Sequence, residues 1–144
     1  MSASVRSRLF KVVIGMLTVF SMVFITGCIG LDESDYEMLN GVWDRGDIVV
    51  TIHNKDGVFT QINSNGGWLP LLNNGTIRIG DKKFKNITKS GNLKWTCQNL
   101  AYPTNNSTTW HSNVTITMDA SGHTMQTNDP NSSPSISIYT KVDY

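Results

Sequence analysis

Hydrophobic and polar side chains alternate with a period of two through most of this chain. Ile48, Val50 and Ile52 interleave with Val49, Thr51 and His53, and Leu93, Trp95 and Cys97 interleave with Lys94, Thr96 and Gln98. Val114, Ile116 and Met118 repeat the pattern against Asn113, Thr115 and Thr117. Successive side chains of a strand point to opposite faces, so each run predicts a strand with one buried face. Further strands are expected at Val58 to Asn63, Thr76 to Ile79, Phe84 to Thr88, His123 to Thr127 and Ile136 to Thr140. Turn-forming groups separate them: Asn54-Lys55-Asp56-Gly57, Ser64-Asn65-Gly66-Gly67, Asn73-Asn74-Gly75, Ser90-Gly91-Asn92 and Asp119-Ala120-Ser121-Gly122. In the first of these, Asp56-Gly57 is expected to take positive φ. The apolar piece Trp68 to Leu72 contains Pro70, which predicts an edge or bulged strand there.

Composition supports the same class. From residue 28 onward there are two Ala (Ala101 and Ala120) against 14 Asn, 13 Thr and 10 Ser, residues that favour strands, turns and caps over helix interiors. The expected architecture is all-β, one up-and-down antiparallel barrel of about eight strands over residues 39–144. Closing such a sheet removes both exposed edges. A two-sheet β-sandwich is the alternative.

The first 27 residues are of another kind. A basic start (Arg6, Arg8, Lys11) precedes fourteen nearly apolar residues from Val12 to Ile25, and then Thr26-Gly27-Cys28. A membrane-crossing helix needs about 20 apolar residues, so this run fits the apolar region of a signal peptide. Ile25-Thr26-Gly27-Cys28 resembles the lipobox of bacterial lipoprotein signal peptides. The resemblance implies cleavage after Gly27, a diacylglyceryl group on the Cys28 thiol, and palmitate-like acylation of the new amino terminus. Two or three acyl chains hold a protein stably on a membrane. Residues 1–27 are then a signal peptide and 28–38 a lipidated, acidic tether carrying Asp32, Glu33, Asp35 and Glu37. The protein is expected at the extracytoplasmic face of the cell membrane. In a cell with two membranes, Ile29 after the lipid Cys, in place of Asp, resembles an outer-membrane sorting signal.

Processing changes the charge. The 144-residue chain carries +1, but the segment from residue 28 has nine basic and eleven acidic side chains, a charge of −2. Such a domain lacks the positive stripe of a nucleic-acid binder, and its length makes one domain. With Cys28 lipidated, Cys97 has no intramolecular partner and reads as a small buried hydrophobe.

The β region opens with Leu39-Asn40-Gly41-Val42-Trp43, a strand and a hairpin. Gly41-x-Trp43 in this place resembles the calycin superfamily of lipocalins, fatty-acid-binding proteins and avidins, and most closely small lipocalin-like bacterial lipoproteins. The resemblance implies that Trp43 plugs the closed end of the barrel, with Gly41 beside it and a basic residue of the last strand, Lys141, packed across it. It also implies a small apolar or amphipathic, lipid-like ligand. Phe59, Trp68, Trp95 and Trp110 are the candidate lining or rim residues, since an aromatic offers apolar area and, in Trp, an N–H donor.

No catalytic constellation, cofactor motif or metal-ligand spacing emerges from the sequence. His53, His111 and His123 are far apart, and Asp119 and Asp129 sit in expected turns. Lys82, Lys83, Lys85 and Lys89 are expected to solubilise an exposed hairpin, with attraction to anionic lipid or wall polymer as the alternative. The chain reads as a non-enzymatic ligand binder. An adaptor whose packed barrel contacts another envelope protein, through its outer face or loop 103–108, is the second reading.

Overall fold

The computed structural model describes residues 33–102 and 107–143. The basic start, the apolar run, Cys28 and Ile29 lie outside the described residues, as does 103–106 of the polar loop. Eight strands follow in order: β1 (Gly41–Asp44), β2 (Ile48–His53), β3 (Asp56–Ile62), β4 (Lys82–Gly91), β5 (Lys94–Ala101), β6 (Thr109–Met118), β7 (Thr124–Asn128) and β8 (Ile136–Val142). Each pairs antiparallel with the next. β8 returns to β1, with Trp43 opposite Lys141 and Asp44 opposite Thr140. This is the closed up-and-down barrel that the alternation predicted, and the ring closure excludes the two-sheet sandwich. Among the described residues all eight strands and the buried core lie within the compact unit Glu33–Tyr144, which has the anatomy of a domain that can fold alone.

Alternation places the core inside the ring. Ile48, Val50 and Ile52 of β2, Phe59 of β3, Trp95 and Cys97 of β5, and Val114 and Ile116 of β6 are all buried. Gly57 is also on the inner face, where a Cβ would come within 2.9 Å of Phe84 Cδ2 and 3.2 Å of Ile52 Cγ1. Chain reversal between β2 and β3 falls at Asn54-Lys55, where Asn54 takes φ 54°; Asp56 and Gly57 already belong to the ladder.

One end of the barrel is sealed. A 3₁₀ turn at Glu33–Asp35 leads to Tyr36 and Leu39, both buried. The Tyr36 hydroxyl donates to the Ile87 carbonyl at 3.1 Å, and Trp95 Nε1 donates to the Asp35 carbonyl at 2.9 Å. Asn40 exchanges hydrogen bonds with Asn54, its Oδ1 accepting from the Asn54 N–H at 2.6 Å. Residues 33–38, read from the sequence as the distal part of a tether, therefore pack onto the barrel. The buried Tyr36 and the two carbonyl acceptors account for this, since each completes a hydrogen bond that the core would otherwise lack. Gly41, Trp43 and Lys141 also meet here. Trp43 is fully buried and donates from Nε1 to the Leu39 carbonyl at 2.8 Å. Lys141 Nζ lies 5.4 Å from the centroid of the Trp43 ring and donates to the Met38 carbonyl at 3.1 Å. Gly41 has φ +143°, and a Cβ there would lie 2.8 Å from Lys141 Cε, so both backbone and space call for glycine.

Two expected strands between β3 and β4 are absent. Trp68 to Leu72 instead leads into a short helix, α1 (Leu69–Asn73), because Pro70 sits in the first turn, where a missing N–H costs nothing. Thr76 to Ile79 is a turn region that buries Ile77 against the core and leaves Ile79 exposed.

Candidate functional site

The opposite end of the barrel is open. A cavity of about 620 Å³ enters between the β1–β2 turn, the segment before α1, the end of β5, and the crossing from β7 to β8. Trp68 and Tyr102 form an aromatic wall with ring centroids 5.9 Å apart, and Ile136 and Ile138 line the side toward β8. The base is polar. Arg45, Asp47, Lys83, Asn99, Asp129 and Tyr139 all face the cavity.

Lys83 owes its position to the backbone. In the β3–β4 ladder Gly57 faces Phe84 while the next residue, Val58, faces Lys82, so Lys83 is the extra residue of a β-bulge. A bulge breaks the alternation and can aim two consecutive side chains the same way. Lys83 and Phe84 are both buried, Lys83 to 2 % exposure. This corrects the expectation that the four lysines form an exposed cluster: Lys82 is exposed, but the bulge turns Lys83 inward. Its Nζ donates to the Leu100 carbonyl and lies 4.5 Å from the Trp68 ring centroid and 5.6 Å from that of Phe84. Burial, reinforced by the like charge of Arg45, pushes the Lys83 pKa down to about 7, against the pull of Asp129 and Asp47.

Two further charge systems flank it. Arg45 Nε donates to Asp47 Oδ1 at 2.6 Å and its other arm pairs with Oδ2, a two-point contact that fixes both groups. The guanidinium lies 5.7 Å from the Tyr139 ring centroid. Burial opposes the charge on Arg45, but the bonds to Asp47 hold its pKa above the ordinary value. Burial likewise pushes the Tyr139 hydroxyl up to about 12.

Asp129, 3 % exposed, is the second centre. It accepts from Asn99 Nδ2 at 2.7 Å, from the Ser132 hydroxyl at 2.9 Å and from the Asn131 N–H at 3.1 Å. His111 Nδ1 approaches its two oxygens at 3.1 and 2.9 Å, which requires the proton on Nδ1. Burial works to raise the Asp129 pKa, and these hydrogen bonds together hold it below the usual carboxylate value. Ser132 and Asp129 meet the same nitrogen of His111, Ser132 at 3.4 Å. A Ser–His–Asp relay needs them on opposite nitrogens, so this group is a hydrogen-bonded brace.

Of the sequence-predicted lining residues, Trp68 borders the cavity. Phe59 lies behind it, with ring centroids 5.1 Å apart. Trp95 sits at the sealed end, with Lys89 Nζ 5.3 Å from its ring centroid. Trp110 is half-buried beneath Lys85, whose Nζ is 3.8 Å from the ring centroid. Sequence reasoning placed Lys83 in an exposed cluster, weighed His111 only as a metal ligand and Asp129 only as a turn residue, and missed Asn99 and Arg45. Cys97 is buried as expected, and burial pushes its thiol up to about 12. Among the described residues no group of three or more His, Cys, Asp or Glu is placed to hold a metal.

The fold and this mouth define a closed eight-stranded antiparallel β-barrel with a polar-based cavity at one end. That architecture is compatible with a calycin-like fold. The chain matches no protein-family model, no curated protein and no solved structure.

Proposed function

We infer that this chain is a membrane-anchored, extracytoplasmic lipoprotein of calycin type that takes a small amphipathic molecule into the mouth of its barrel without transforming it. The observation that carries this reading is the cavity of about 620 Å³, which lies within the size range of small-molecule sites. Its Trp68 and Tyr102 side suits an apolar tail, and its base suits a polar head. The lipobox resemblance at Ile25 to Cys28 supports the anchor. Fluorescence titration of residues 33–144 with medium-chain alcohols, acids and esters tests the cavity, since Trp68 and Tyr102 would be covered. A flat signal across the panel, together with native mass spectra free of adducts, would refute ligand binding. Replacing Cys28 by Ala should yield unprocessed or released protein; unchanged mass and membrane attachment would refute lipidation.

One observation favours the second reading, contact with another envelope protein. Ile136 and Ile138 are large apolar side chains 48 % and 59 % exposed on the same strand. Ile136→Ser/Ile138→Ser protein that still co-purifies with every neighbour of the wild type would refute it.

A further inference from the structure

The polar base of the cavity is almost fully paired, and the exceptions belong to two of its lining residues. Asp129 is surrounded by donors from Asn99, His111, Ser132 and Asn131. Arg45 is taken by Asp47. Asn99 Oδ1, by contrast, is buried with no hydrogen-bond partner among the described residues. Its amide cannot be reversed to cure this, because a nitrogen must face the Asp129 carboxylate. Lys83 Nζ uses one of its N–H groups on the Leu100 carbonyl, and among the described residues no second acceptor takes the others. The two residues are neighbours in the β4–β5 ladder: Asn99 pairs with Phe84, the residue after Lys83, and the Leu100 carbonyl that Lys83 bonds follows Asn99. An acceptor lacking a donor thus lies one residue off in register from an amine lacking an anion.

Building on the amphipath reading, we propose that this pair recognises a head group with an anionic oxygen next to an O–H or N–H donor, as in a hydroxy acid or an N-acyl amino acid. Lys83 Nζ takes the oxygen and Asn99 Oδ1 takes the donor. The tail lies along Trp68 and Tyr102. A bare fatty acid satisfies only Lys83, and an ester offers neither an anion nor a donor.

Binding of such an anion is coupled to protonation of Lys83. The ionisable groups around it are Arg45 and Asp47 from the β1–β2 turn, Cys97 on β5, His111 on β6, Asp129 after β7 and Tyr139 on β8. Arg45 and Asp47 are paired with each other, and burial holds the Cys97 and Tyr139 protons in place near neutral pH. Lys83, poised at about 7, is the group that an arriving anion would charge, with uptake of up to about three-quarters of a proton at pH 7.5.

The test is calorimetric titration of residues 33–144 at pH 7.5 with 3-hydroxyoctanoate, N-hexanoylglycine, octanoate and methyl octanoate, in buffers of different protonation enthalpy. The expected result is binding of one donor-bearing acid about tenfold tighter than octanoate, and octanoate about tenfold tighter than the ester. Whichever of the two donor-bearing acids binds better identifies the source of the head. Proton uptake should accompany the acids and vanish in Lys83→Met, while Asn99→Leu should erase the preference for the donor-bearing acids over octanoate. Equal affinity for all four probes in the wild type would overturn the head-group assignment and leave the amphipath reading standing; water then serves Asn99. No binding by any probe would overturn both.

Discussion

Replacing Lys83 by Met isolates the cost of a buried amine. The ammonium has been drawn from water into a site 2 % exposed, and its pKa falls from 10.5 to about 7. Between those values the unfolded chain binds more protons than the native one, so stability rises with pH. From pH 7 to 9 the gain integrates to about 2 kcal/mol, after a small loss because the unfolded Cys97 thiol begins to ionise while the native one does not. Above about pH 9.5 the balance reverses. Cys97 and Tyr139 keep their protons in the fold to about 12, so the native state is then the better proton binder. Wild-type residues 33–144 should therefore be most stable at about pH 9.5. In urea unfolding followed by tryptophan fluorescence, the midpoint should climb by roughly 1–2 M between pH 7 and 9. The Lys83→Met variant keeps an unbranched chain of similar length, loses the rising limb, and should be the more stable protein at pH 6. Midpoints that climb in parallel for both proteins would refute the reasoning, because the amine would then carry no burial cost.

Asp129→Ala removes the acceptor shared by four donors and should cost roughly 3 kcal/mol, seen calorimetrically as a fall in Tm of more than 10 °C. Trp43→Ala should cost about 3–5 kcal/mol in urea unfolding, whereas Lys141→Met, which loses a cation–π contact and one bond to the Met38 carbonyl, should cost about 1 kcal/mol. Cys97 should resist a thiol reagent at pH 8 in the native protein and react at once in urea; rapid native labelling would contradict its burial.

The barrel was legible because its evidence is local and repeated. Strands such as Ile48–His53 and the first half of Lys94–Ala101 alternate cleanly, and turn formers stand between them. The sealed end was legible in part, since a Gly at φ +143° beside a buried Trp leaves a mark in the sequence, whereas Tyr36 lay unnoticed in an acidic stretch. The open end was not legible. Lys83 belongs to a run of lysines that reads as solvent-facing, and no Gly or Pro marks the bulge that turns it inward. Asn99 continues the alternation of Trp95 and Cys97, so its place on the inner face could have been read, but polar identity argued against it. Asp129 does build a turn, accepting from the Asn131 N–H. Its second role depends on β5 and β6, which reach it only through the closed ring.

The bulge at Lys83 separates the site from the scaffold. Deleting that one residue would leave β4 in unbroken register with β3 at this point, and an ordinary ladder would present no amine to the interior. The buried amine of the mouth thus depends on a single inserted residue and not on the hydrophobic code that builds the barrel. A lineage could gain or lose it in one step, with the ring intact on either side, so barrels of the same outward pattern could differ entirely in what they hold.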